Sequence, residues 1–307
     1  MIRRDRKWSS GTGTVPASPA APALPARGTG VAAGSHRGRG GEEKFGETDR
    51  KDLWWLKPML QALGLLVLIG YANYAAILGS AHYHFIEGGR HYLSPFYSPY
   101  IKPAWLPSWV SPALLILVFP LGFRTTCYYY RKAYYRSFFA DPMACGVGEP
   151  RAKGYQGETK FPFILQNIHR YFLYAALIFL VILWYDVFLA ARFETPDGRY
   201  RFGIGGGTLA ILASTTFLSL YTFSCHSLRH LIGGKLDCFS CAAAGGPRHK
   251  TWSIVSMLNE HHMGWAWWSL FAVCFADFYV RMCSMGFIND PVFFPFSLFN
   301  SAGGMGM

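Results

Sequence analysis

The chain alternates between long apolar runs and short polar or aromatic connections. Five runs stand out, over about Leu56–Ser80, Trp109–Tyr130, Phe163–Val187, Gly205–Ile232 and Trp252–Met282. Met59 to Gly70 carries no charge at all. Each run is long enough to cross a hydrocarbon core of about 30 Å as a helix. Pro112 and Pro120 predict a first turn or a kink in the second run. The pattern therefore predicts an all-α integral membrane protein, a five-transmembrane-helix bundle.

The connections differ in kind. Residues 1–52 are rich in Gly, Ala, Pro and Arg, with little to bury, and read as a disordered basic tail. His82 to Pro107 is aromatic and proline-rich, which suits a membrane interface. A polar loop follows the second run, and Gly233 to Lys250 forms a basic loop. The organisation is thus a tail over 1–52, a membrane domain over 53–285 and a C-terminal tail over 286–307.

Composition supports the membrane reading. The 307 residues are 51% hydrophobic and 17% aromatic, and only 15% charged. A soluble domain carries about 25% charged residues. The net charge of +12 would raise nucleic acid as a partner in a soluble protein. Here the Lys and Arg residues gather in the tail and in 131–160 and 229–250, and are absent from 283–307. The positive-inside rule explains that better, and it places the N-terminus in the cytoplasm of a multi-pass protein. Arg192, Arg199 and Arg201 in the loop 188–203 run against the trend. Seven cysteines with no secretory signal speak against a disulfide framework.

The candidate chemistry gathers at one end of the predicted bundle. Cys145, His169, Cys225, His226, His230, Cys238, Cys241, His261 and His262 all fall on the predicted cytoplasmic side. At 1.5 Å per residue, Cys225 and His226 lie about 10 Å inside the end of the fourth run, and His262 about 15 Å inside the start of the fifth. The two runs are antiparallel, so these side chains can face one another. His226 and His230 are four apart and share a helical face. Two His and two Cys suit a tetrahedral structural zinc or a Rieske-type [2Fe–2S] cluster. A haem b held by His226 and His262 is a third option, and spacing alone leaves all three open. Cys127, Cys274 and Cys283 read as small apolar packing residues.

Several longer motifs carry a resemblance. Ala144-Cys145-x-Val147-x-Glu149-Pro150, Gly157-Glu158-x-Lys160-Phe161-Pro162 and Gln166-Asn167-x-His169-Arg170-Tyr171-Phe172 form one group. Ser224-Cys225-His226-Ser227-x-Arg229-His230 with Gly233-Gly234, and Leu258-Asn259-x-x-His262-Met263, form another. Over about residues 54 to 285 the chain resembles the single-subunit membrane anchor of actinobacterial succinate dehydrogenases. The resemblance implies a bacterial plasma-membrane subunit of succinate:quinone oxidoreductase, lying in the lipid bilayer. It implies a flavoprotein and an iron–sulfur subunit as partners, with a higher oligomer left open, and quinone as the electron acceptor.

The resemblance also implies a Rieske-type [2Fe–2S] cluster where other anchors carry haem. It points to Cys145 and Cys225 as the cysteine ligands, and to His230 and His262 as the histidine ligands, with His226 next. Gln166, His169, Arg170 and Arg229 are the residues expected to meet the quinone. Cys238-x-x-Cys241 lies outside the family pattern.

Overall fold

The computed structural model describes residues 45–78, 81–140, 144–148, 161, 163–195, 197–234 and 236–295. Most of the expected tail over 1–52 and part of the C-terminal tail lie outside these residues. The described part of the first tail is not free-standing. Gly46 N–H donates to Gly148 O at 2.9 Å and Gly148 N–H to Glu47 O at 2.8 Å, which pairs 46–47 with the 144–148 segment.

Eight helices dominate the described residues: α1 Leu56–Ile77, α2 Ala113–Thr125, α3 Tyr128–Phe138, α4 His169–Ala190, α5 Gly206–Phe223, α6 His226–Gly233, α7 Gly245–Glu260 and α8 His262–Ser284. Five short strands accompany them: β1 His84–Glu87, β2 Arg90–Leu93, β3 Arg192–Glu194, β4 Tyr200–Gly205 and β5 Val292–Pro295. By length and composition, α1, α5, α8 and the segment Ile164–Ala190 each suffice to cross a membrane. The α2–α3 pair passes the same test when taken together, but is bent by 81°, as in a broken span or a re-entrant loop. Leu66, Val67, Ile178 and Val181 are among the large apolar side chains left outside the bundle, as lipid contact requires.

The helices depart from the expected runs at three places. The second run breaks not at Pro120, which stays inside α2, but at Cys127. The fourth run ends α5 at Phe223 and restarts α6 at His226. The fifth divides at His261 into α7 and α8. The first two breaks share a cause. Cys127 (φ −68°, ψ 131°) and Cys225 (φ −65°, ψ 135°) are extended residues that end one helix and begin the next. The sequence of α3, rich in tyrosine and with Arg131, Lys132 and Arg136, suits an interface rather than a hydrocarbon core.

α5 and α8 form the most extensive helix pair, with α4 against α5 and α2 against α4. Close approach depends on glycine at several points, two of which show it. A Cβ on Gly122 would lie 2.3 Å from the Phe172 ring, and one on Gly207 would lie 2.3 Å from the Tyr92 ring. The larger core cluster includes Leu65, Phe123, Leu173, Tyr221, Ala266 and Leu270.

The loop 188–203 and the C-terminal segment are more ordered than simple connections. β1 and β2 form a hairpin, and β3, β4 and β5 form an antiparallel sheet. Asp290 ties this end together. Its carboxylate accepts from Arg90 Nη1 (2.9 Å), Tyr92 OH (2.9 Å), Tyr279 OH (2.8 Å) and the Gly207 backbone N–H (2.8 Å). Inside α8, fully buried Asp277 accepts from Arg281 Nε (2.7 Å), Tyr71 OH (2.6 Å) and Ser94 Oγ.

Candidate functional site

The two cysteines at the helix breaks are both buried, and each follows a hydroxyl residue. Thr126-Cys127 closes α2, and Ser224-Cys225 closes α5. Two histidines open the returning helices: His169 is the first residue of α4 and His262 the first of α8. The four meet at one end of the bundle. His169 Nε2 lies 3.2 Å from Cys225 Sγ, and His262 Nε2 lies 3.5 Å from Cys127 Sγ.

The other ring nitrogens meet the hydroxyls. His169 Nδ1 lies 2.9 Å from Thr126 Oγ1, and His262 Nδ1 lies 2.6 Å from Ser224 Oγ. Both hydroxyls already donate to a backbone carbonyl, Thr126 to Gly122 O at 2.6 Å and Ser224 to Tyr221 O at 3.0 Å. Each hydroxyl therefore has only a lone pair to offer its imidazole. That assigns the proton to Nδ1 in both rings and leaves the Nε2 lone pair facing sulfur. A histidine held at one nitrogen by a neighbour and open at the other is the usual disposition of a metal ligand.

The arrangement is twofold in pattern. Each half consists of an apolar helix, a hydroxyl–cysteine pair, a second helix, and a histidine that opens the return span. Within a half, the histidine is oriented by the hydroxyl; across the halves, it faces the other cysteine. Aromatic rings hold both imidazoles in place. Phe123 stacks on His169 at 4.8 Å and 5°, and Tyr221 on His262 at 5.0 Å and 23°. Asn259 Nδ2 donates to Ser224 O at 2.7 Å and so fixes the second break to the end of α7.

A cavity of about 550 Å³ opens beside these groups. Gln166, His169, Arg170, Cys225 and His262 of the predicted set line it. His226 and His230, on α6, line it too, with His230 Nδ1 3.4 Å from Arg170 Nη2. Arg229 lies outside the lining, its Nε bonded to Ser256 Oγ at 2.8 Å and its guanidinium 5.0 Å from the Trp252 ring centre. Cys145 also lies elsewhere. It is exposed on the 144–148 segment, where its carbonyl accepts from Arg50 Nη1 at 2.9 Å. Cys238 and Cys241 form a local disulfide in the α6–α7 connection.

Sequence reasoning passed over Cys127 as a packing residue and gave His169 to quinone. The signal that distinguishes Cys127 is the repeated hydroxyl–cysteine pair at the end of an apolar run. A second cavity, of about 470 Å³, lies at the other end of the bundle, between the β1–β2 hairpin and β3. There His91 Nε2 is 3.5 Å from Glu194. Burial, with His91 beside it, holds His84 below the ordinary histidine range.

Spans, breaks and buried side chains together define a helical membrane protein in which two Cys and two His meet between two pairs of helices. The chain belongs to the family described as actinobacterial succinate dehydrogenase subunit SdhC, which it matches over residues 56–286. It is therefore a membrane subunit of a succinate dehydrogenase and works with the partner subunits of that enzyme. The fold is similar to a chain of the Mycobacterium smegmatis Sdh1 complex in the apo form, with 42% identity and a TM-score of 0.70. That match covers 81% of this chain and 94% of the other. No curated protein matches the sequence.

Proposed function

We propose that this subunit carries electrons from the iron–sulfur subunit of succinate dehydrogenase to quinone, using a Rieske-type [2Fe–2S] cluster held by Cys127, Cys225, His169 and His262. The observation that carries the reading is the pair of imidazoles whose Nε2 atoms lie 3.2 and 3.5 Å from two buried thiols, with Nδ1 held at Thr126 and Ser224. Two Cys and two His are the donor set of such a cluster. Among the described residues no group of three or more His, Cys, Asp or Glu is already gathered around a single point. Bound there, the cluster supplies a one-electron carrier whose potential is raised by imidazole ligation.

This assignment puts Cys127 in place of Cys145, and His169 in place of His230 and His226. The chain's own residues hold the centre and keep water from it. Thr126 and Ser224 fix the tautomers, while Phe123 and Tyr221 fix the ring planes. Gln166, Arg170, His226 and His230 border the adjoining cavity. They offer hydrogen bonds to the two carbonyl oxygens of a quinone head group, in a pocket of the size small ligands use. The basic loops put this end of the bundle, and the N-terminus, on the cytoplasmic side. There it would meet the iron–sulfur and flavoprotein subunits.

The test is low-temperature EPR and optical spectroscopy of the purified complex, wild type beside Cys127→Ala, Cys225→Ala and Cys145→Ala. The reading expects a Rieske-type signal without a Soret band, lost in the first two variants and kept in the third. A signal that survives Cys127→Ala and Cys225→Ala, or a Soret band in its place, overturns it.

A further inference from the structure

Arg124 lies in the last turn of α2 and is half-buried. Its guanidinium sits 5.6 Å from the Tyr130 ring centre and 5.2 Å from that of Tyr221. Nη1 donates to Tyr130 OH at 2.5 Å and to Ser269 Oγ at 3.0 Å, with Ala266 O at 3.5 Å. Every partner is neutral. Among the described residues no carboxylate pairs with Arg124, whereas Arg90 has Asp290 and Arg281 has Asp277. An arginine kept in an apolar bundle without a counter-ion is costly, and such residues mark function.

Its position relative to the metal-type donors gives that function a direction. Tyr221 has Arg124 beside one part of its ring and stacks on His262 at 5.0 Å. Phe123, next in sequence, stacks on His169, and Cys127 follows three residues later across the helix break. The positive charge therefore stands one aromatic layer behind the donors. With two thiolates and two neutral imidazoles, a [2Fe–2S] centre is neutral when oxidised and carries one negative charge when reduced. A fixed cation in a low-dielectric surrounding favours the reduced form.

We infer that Arg124 is a positioning residue for electron transfer: its unpaired charge raises the reduction potential of the centre between α2, α4, α5 and α8. This rests on the cluster reading given under Proposed function. One electron enters and no bond forms or breaks. Arg124 changes neither the ligands nor their number, only the energy of the added charge.

The experiment is an EPR-monitored redox titration of the intact complex, wild type beside Arg124→Gln and Arg124→Lys. At a fixed ambient potential near the wild-type midpoint, Arg124→Gln should lower the ratio of reduced to oxidised centre about tenfold, equivalent to about 59 mV for a one-electron couple. Arg124→Lys keeps the charge and should stay within about threefold of wild type, and the g-values should be unchanged in both. Should Arg124→Gln fail to assemble, Ser269→Asp sets a carboxylate where the guanidinium now meets a hydroxyl, and the same fall is expected. A normal Rieske-type signal whose midpoint is unmoved by Arg124→Gln or Ser269→Asp overturns the inference and leaves the cluster standing. So does an equal shift in Arg124→Lys, which would assign Arg124 a purely structural role. The absence of any such signal from the wild type overturns the cluster reading instead.

Discussion

His262 and Cys127 stand 135 residues apart in the chain, yet His262 Nε2 lies 3.5 Å from Cys127 Sγ. The matching pair, His169 and Cys225, is 56 residues apart and 3.2 Å in contact. Because the pairs cross between the halves, each half supplies one thiol and one imidazole. Replacing either histidine should therefore abolish the centre outright rather than halve it. His169→Ala and His262→Ala should each purify with about two fewer iron atoms per complex than wild type. His230→Ala should keep its iron. Metal analysis of the three variants checks this.

The hydroxyls offer a subtler test. Thr126→Val and Ser224→Ala each remove the acceptor that holds an Nδ1 proton, while leaving the metal-type donors in place. Loss of such an outer partner usually weakens metal binding about 10- to 100-fold. Both variants should load, then lose iron to a chelator at least tenfold faster than wild type. Thr126→Ser restores the hydroxyl and should restore retention.

On the proposed reading the cysteine pair of the α6–α7 connection takes no part in the centre. A Cys238→Ser, Cys241→Ser double variant should retain the full EPR signal and quinone reduction. Thiol alkylation followed by mass measurement should show two extra labelled sites in the wild type after reduction, and none in the double variant.

At the opposite end, Asp290 is the residue whose loss should cost most. Asp290→Asn removes the charge from a carboxylate that meets Arg90, Tyr92, Tyr279 and the Gly207 N–H. Breaking a buried pair from one side costs about 3–5 kcal/mol. Tyr92→Phe, which removes one hydrogen bond, should cost about 1–2 kcal/mol. Thermal unfolding in detergent should rank them in that order.

The bundle itself was legible in the sequence, because uncharged runs of twenty or so residues admit few other readings. The convergence of Cys225 and His262 at one end followed from simple helix arithmetic. The breaks did not follow. An extended cysteine between two helical segments leaves the hydrophobic pattern uninterrupted, so α2–α3 and α5–α6 read as single spans. The contact of Cys127 with His262 was not legible for the same reason, since a buried thiol at a bend looks like packing in the sequence. Cys145 stood out because it sits in a long motif, and a motif does not show where its members lie; here Cys145 is exposed, away from the cavity. The far-end sheet was missed because strands of three to six residues, interrupted by arginine and glycine, carry too little alternation to register.

Arg90 and Asp290 are joined across 200 residues. The hairpin that carries Arg90 emerges after the first span, but its partner follows the last. The tie between the hairpin and Asp290 can therefore form only once the last span has followed the first into the bilayer. A chain cut short before Asp290 would hold every thiol and imidazole of the centre and still lack the latch that keeps α5, α8 and the hairpin in register.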